Sequence, residues 1–280
     1  MPGEAIRTKI NPGQRVAVAV GSRGIANIKE IVACVVSEVK KLGGEPFIVP
    51  AMGSHGGATD EGQAEVLAHY GITESAVGAP IVSSMETVQV GRTPGGIPLF
   101  FDKNAFMADA VVLVARVKPH TDFKGPVESG LLKMMAIGLG KHKGAETLHS
   151  QGFEVFDILI PEAGQMIARN TPVKLGVAII ENAYEETAQI HVVPVEQFYE
   201  KECEFLVEAK QNMPRLNVDR IDVLIIDEVG KDISGAGMDP NITGRFSIPV
   251  KSLNAPPPIQ RMAFTSNLYI RNLYRWISSE

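Results

Sequence analysis

Along the first fifty residues the apolar positions change period twice. Residues 16–20 (VAVAV) are an unbroken apolar run, Ile25, Ile28, Val32, Val35, Val39 and Leu42 recur at helical spacing, and residues 47–51 are apolar again. The pattern predicts strand, loop, helix, strand, loop. Gly43 and Gly44 end the helix, because glycine enters a left-handed turn at little cost. Two apolar runs joined by a crossover helix imply parallel strands. In such sheets ligands bind beyond the carboxyl ends of the strands. That singles out two loops, GSRG after the first run and MGSHGGAT after the second.

Further along, Thr59 or Asp60 reads as the N-cap of a helix reaching His69, with Gln63 three residues after Asp60 in the manner of a capping box. The stretch ETVQVGRTPGGIPLFFD predicts a hairpin turning at Pro94, Gly95 and Gly96. ADAVVLVARVKPH is a buried strand that delivers Lys118, Pro119 and His120 to a third loop. A helix over 153–169, strands over 173–180 and 188–193 and an amphipathic helix over 196–213 follow, and a new strand over 221–227 comes after the boundary-like NMPRLNVDR. The expected fold is α/β: a parallel-rich sheet flanked by helices, doubly wound, over residues 1–214, and a second, shortened α/β domain over 215–280.

Composition narrows the function. A formal net charge of −5 gives no general attraction to nucleic acid or to acidic membranes. No run approaches the roughly 20 apolar residues that span a bilayer, and MPGEAIRTKINPGQ has no apolar signal core. Cys34 and Cys203 make no disulfide framework. A cytoplasmic protein with no nucleic-acid or membrane partner is the simplest expectation.

Chemistry concentrates in KPHTDFKGPVESGLLKMMAIGLGKHKGAETLH, residues 118–149. Glycines around one basic side chain let backbone amides approach an anion, and GPVESGLLK has that outline around Gly125, Gly130 and Lys133. Walker spacing is absent, and no GxGxxG follows the first strand, so neither an ordinary ATPase nor a simple dinucleotide fold is indicated. His55, His120 and His149 each lie in or beside a loop on the same expected sheet edge, where imidazoles serve as acid, base or metal ligand. His69 and His191 read as structural, and His142, between Lys141 and Lys143, as part of a solvated basic face.

VAVGSRGIANIKEIV, MGSHGGAT and the 118–149 segment, in that order, resemble the lactate racemase family, the nickel-pincer nucleotide-dependent lactate racemase and its α-hydroxyacid racemase and epimerase relatives. The resemblance covers about three quarters of the chain. It implies that Lys133 is joined as a thioamide to a pyridinium mononucleotide whose sulfur and carbon donors hold nickel, and that His149, sixteen residues further on, completes the coordination. It implies that His55 and His120 flank the substrate carbon as alternating acid and base, and that Arg23 helps bind cofactor phosphate or substrate. Gly125 and Gly130 belong to the same cofactor segment. Arg23, Lys118 or Lys124 would hold the substrate carboxylate. The partners so implied are a small 2-hydroxy acid and the cofactor-building enzymes.

Plainer roles stand beside these. Lys133 also fits a helix surface, Arg23 a helix-start salt bridge, Lys118 and Lys124 solvated charge, and Glu128 either a histidine-orienting group or a helix cap. The chain departs from the family in its ending, NAPPPIQRMAFTSNLYIRNLYRWISSE, whose Leu268, Tyr269, Leu273, Tyr274 and Trp276 either cover exposed core, mediate self-association into a homo-oligomer, or form a frameshifted tail. Lys231 is a candidate contact from the second domain. Two further readings are a non-catalytic binding module for a nucleotide or phosphorylated metabolite and, last, a hydrolase with His55, His120 and His149 as metal ligands.

Overall fold

The computed structural model describes residues 9–218, 220–226, 238–244 and 259–264. Lys231 and the apolar residues 268–276 lie outside them. The chain divides into two compact units, residues 1–119 with 123–213, and residues 120–122 with 214–280.

In the larger unit the strands are β1 (Arg15–Val20), β2 (Glu45–Pro50), β3 (Thr87–Arg92), β4 (Pro98–Asp102), β5 (Ala110–Arg116), β6 (Val173–Glu181) and β7 (Thr187–Pro194). Five of them make one sheet in the order β2-β1-β5-β6-β7. Its first four strands are parallel, with Val18 opposite both Ile48 and Val112, and β7 closes the edge antiparallel to β6. β3 and β4 form the expected hairpin.

Alternation along each strand explains why the runs are apolar throughout. Val16, Val18 and Val20 enter one core, and Ala17 and Ala19 enter the other; β5 divides in the same way. A strand buried on both faces has no polar side to show. The first face is covered by α1 (Ile28–Lys41), through Ile28, Ile31, Val32, Val35, Val36 and Val39, and by α2 (Asp60–His69). On the second face pack α3 (Lys141–His149), α4 (Phe156–Asn170) and α5 (Phe198–Gln211). The fold is thus α/β, with a mostly parallel sheet wound on both sides.

The cap of α2 is Thr59, whose Oγ1 accepts from Gly62 N–H at 3.0 Å. Asp60 lies within the first turn, where its charge suits the helix dipole. Gln63 does not reach back as a capping box would; it is fully buried and bonds elsewhere. Because β1 has β2 on one side and β5 on the other, the direction of winding reverses between β1 and β5. The loops that follow these two strands diverge there, which is where open α/β sheets form ligand crevices.

In the smaller unit β8 (Ile221–Ile226) and β9 (Ile259–Phe264) pair in parallel. A short turn of helix, Pro240–Thr243, is capped by Asp239, whose Oδ1 accepts from Asn241 N–H at 2.8 Å.

Candidate active site

The first two loops are tied to each other and to the segment after Lys133. Ser22 Oγ lies 2.5 Å from His55 Nδ1, and Tyr70 donates its hydroxyl to Ser22 O at 3.0 Å. His55 is exposed beside an open groove of about 830 Å³ lined in part by Ser22, Thr59, Glu65, His69 and Tyr70. Gly53 N–H donates to Gly138 O at 3.0 Å. Gly21 lets Met134 pack close, since a Cβ at Gly21 would stand 3.1 Å from Met134 Cε. Arg23 is exposed and makes no ion pair among the described residues. Its loop is held by Ala26 N–H donating to Glu181 Oε1 at 2.7 Å, and Glu181 in turn pairs with Arg116.

Underneath the His55 loop lies a lysine that sequence reasoning placed on a solvated face. Lys141 is fully buried. Its ammonium donates to Pro50 O at 2.5 Å and Gln63 Oε1 at 3.1 Å, and lies 3.2 Å from the buried carboxylate of Asp102. Gln63 passes this hold onward, its amide donating to Gly53 O at 2.9 Å and His55 O at 3.2 Å. Burial lowers the Lys141 pKa and raises that of Asp102, each shift opposed by the partner's charge. Lys141 has φ 53°, a left-handed backbone that a side chain with a Cβ adopts only where its surroundings hold it. His142 and Lys143, which follow it in the basic run, are exposed as expected.

Lys133 ends a short helix, Leu131–Lys133, that runs directly into a π turn, Met134–Gly138, closed by Leu139 N–H to Met134 O at 2.8 Å. Single π turns of this kind recur at functional sites. The preceding loop is pinched at its base where Lys118 and Ser129 exchange backbone hydrogen bonds of 3.0 and 3.1 Å. Lys133 is half-buried, with its ammonium 5.6 Å from the centre of the Phe123 ring. Phe123 meets Phe156 edge-on at 5.4 Å, and His149 stacks on Phe156 at 5.6 Å, with Phe153 closing the group. Lys133 and His149 therefore share one aromatic wall. Partial burial, and then the Lys133 charge, hold His149 below the usual histidine pKa, keeping its imidazole neutral and able to donate a lone pair to a metal.

The glycines of this segment have a different surrounding from the one an anion pocket needs. Gly130 makes room for Glu202, whose carboxyl would lie 2.5 Å from a Cβ at that position. Glu202 is fully buried on α5, its Oε2 accepts from Leu132 N–H at 3.0 Å, and burial pushes its pKa up to about 7. Glu128, buried too, takes Lys210 at 2.8 Å and Lys124 at 3.5 Å, and lies 3.5 Å from Gly125 N. Leu132 N–H and Gly125 N–H thus each face a carboxyl group of the chain itself. Glu128 serves Lys210 and Lys124 rather than a helix start, and Lys124 is drawn into that cluster with little of its side chain in solvent.

Residues 120–122 belong to the smaller unit. There His120 Nδ1 accepts from Asp122 N–H at 3.0 Å, and Asn241 donates to His120 O at 3.1 Å. A neutral ring so held carries its proton on Nε2. His191, as expected, is structural, stacked on Phe205 at 4.3 Å. Among the described residues no three His, Cys, Asp or Glu side chains group so as to hold a metal. Among them, too, no helix is long and apolar enough to cross a membrane.

Glu202, the buried role of Lys141, the bridging role of Gln63 and the three phenylalanines were not read from sequence. Glu202 did leave a trace: it shares the helical stripe of Phe198, Phe205, Leu206 and Ala209, a charged residue on an apolar face. Lys141 left none, since KHK reads as a basic surface.

Residues 2–155 match the family model for the lactate racemase N-terminal domain. The lactate racemase apoprotein from Thermoanaerobacterium thermosaccharolyticum superposes with a TM-score of 0.56 at 16% identity, over 81% of this chain and 59% of the other. A protein from Thermotoga maritima solved by a structural genomics consortium gives 0.57 at 16% identity, over 82% and 63%. The chain thus spans less than two thirds of either relative, and at this identity the likeness is one of fold. No curated protein matches the chain.

Proposed function

Since the chain belongs to the lactate racemase N-terminal domain family, we propose that it is a racemase or epimerase of a small 2-hydroxy acid that works with a nickel-pincer nucleotide tethered to Lys133. The observation that carries the reading is the shared wall of Lys133, Phe123, Phe156 and His149, which brings an amine and a metal-donor imidazole to one ring-lined surface. These residues suit the group: the amine can be acylated, the rings give a planar apolar face, and His149 supplies one further donor to a metal held mainly by the nucleotide. When bound, the group supplies a reversible hydride acceptor.

The protein's own part is acid-base work and orientation. His55 is well suited to a role that alternates, because the Ser22 hydroxyl can donate to Nδ1 or accept from it. The ring keeps its partner whether Nε2 takes the hydroxyl proton of the substrate or returns it. His120, whose Nδ1 accepts from Asp122 N–H, is the candidate for the second role. Arg23, exposed and without an ion pair among the described residues, is the candidate for the substrate carboxylate or the cofactor phosphate. A binding module relying on the Gly130 amides for an anion is disfavoured by the Glu202 carboxyl at Leu132 N–H.

The test is the intact mass of protein made together with the cofactor-building enzymes, beside Lys133→Ala. An added mass on the wild type that is absent from the variant supports the reading. Tight nucleotide binding without an adduct would instead favour the non-catalytic module.

A further inference from the structure

Helix Leu131–Lys133 has no local means of holding its own start. The first amides of any helix lack intrahelical partners, and Gly130 ahead of this one has no side chain to offer them. The acceptor comes instead from 70 residues along the chain, where Glu202 Oε2 meets Leu132 N–H at 3.0 Å. Its other oxygen, Oε1, is buried and lacks a hydrogen-bond partner among the described residues. Gly130 permits the approach, because a Cβ there would stand 2.5 Å from Oε1. A fully buried carboxyl with an orphan oxygen is destabilising compared with an apolar side chain of the same size. Packing alone does not account for it.

We propose that Glu202 is a positioning residue: it sets the start of the turn that carries Lys133 and so aims the Lys133 amine at the aromatic wall bearing His149. The need for such a cap is local. Immediately after Lys133 the chain changes to π geometry, so the turn has no regular helix downstream to fix its phase. The hold from Glu202 reaches it from upstream, and α5 is anchored independently by Phe198, Phe205, Leu206 and Ala209.

The consequence for function rests on Lys133 being the attachment point, but the test does not. In the apo wild type, Leu132 N–H sits where helix amides normally exchange freely; capped by Glu202, it should exchange at least about a hundredfold more slowly than in a free peptide by NMR. Exchange at the free-peptide rate overturns the proposal without any variant. In a second arm, native protein is acylated briefly and the labelling of Lys133 is read by peptide mass against exposed Lys143. Glu202→Ala should change the Lys133/Lys143 ratio about threefold or more, and Glu202→Gln, which keeps a carbonyl acceptor, should restore it. An equal ratio in all three proteins overturns the proposal. Neither arm involves the cofactor, so a missing mass adduct on Lys133 would sink the attachment reading and leave this one standing.

Discussion

Lys141→Met removes one buried charge and keeps an unbranched chain of similar length. The ammonium touches Pro50 O at 2.5 Å, Gln63 Oε1 at 3.1 Å and Asp102 Oδ2 at 3.2 Å, with both members of the ion pair fully buried. Its loss strands two neutral acceptors, at about 1–3 kcal/mol each in isolation. It also breaks a buried pair, which costs about 3–5 kcal/mol. The contributions do not add. Asp102, already pushed up by burial, takes a proton once the ammonium has gone. The expected loss is about 4 kcal/mol, or, with a urea dependence near 2 kcal/mol/M, a fall of about 2 M in the unfolding midpoint by far-UV circular dichroism. Adding Asp102→Asn should recover roughly half of it, because the cost of protonating a buried carboxylate is then removed while the side-chain oxygen still caps Ala105 N–H, a bond of 2.8 Å. A loss under about 1 kcal/mol, or a double variant as unstable as the two single losses summed, would refute the idea that this pair pins β2, β4 and the His55 loop together.

Three other outcomes follow from the same geometry. Burial pushes the Glu202 pKa up to about 7 from the ordinary carboxylate value of 4.5, so the folded state binds the extra proton between those values. Stability should therefore fall as pH rises through that window, by about 3 kcal/mol in all, and Glu202→Gln should flatten the dependence; urea midpoints at pH 5 and 8 that are equal in the wild type would contradict this. His149 is held low partly by the Lys133 charge, so Lys133→Ala should move its NMR titration upward, and an unchanged or lower midpoint would mean the two are not neighbours. Gly130→Ala should destabilise by about 1–3 kcal/mol through overpacking, yet be tolerated much better in a Glu202→Ala background; additive losses in thermal unfolding would show that Glu202 is not what the new methyl group meets.

How much of this was legible in the chain depends on distance along it. β1, α1 and β2 were readable because their apolar periods are local, and Gly43 stops α1 at φ 80° as its position suggested. The family segment was readable too, since its histidines, lysines and glycines lie together. The capping box at Asp60 misled because Gln63 has a stronger claim from Lys141, 78 residues away. Lys141 itself misled because charge alternation next to His142 describes a surface until the neighbours are known.

The sequence alone therefore determined the kinds of element, the parallel sheet, the loops that carry Arg23 and His55 and the segment that carries Lys133, because backbone preference and hydrophobic period act within a few residues. Tertiary structure decided which charges are inside: Lys141 with Asp102 and Glu202 against Leu132. It also decided that Lys133 and His149 share the rings of Phe123 and Phe156. Burial of a charge is settled by partners from distant segments, and only the folded chain brings those partners within hydrogen-bonding reach.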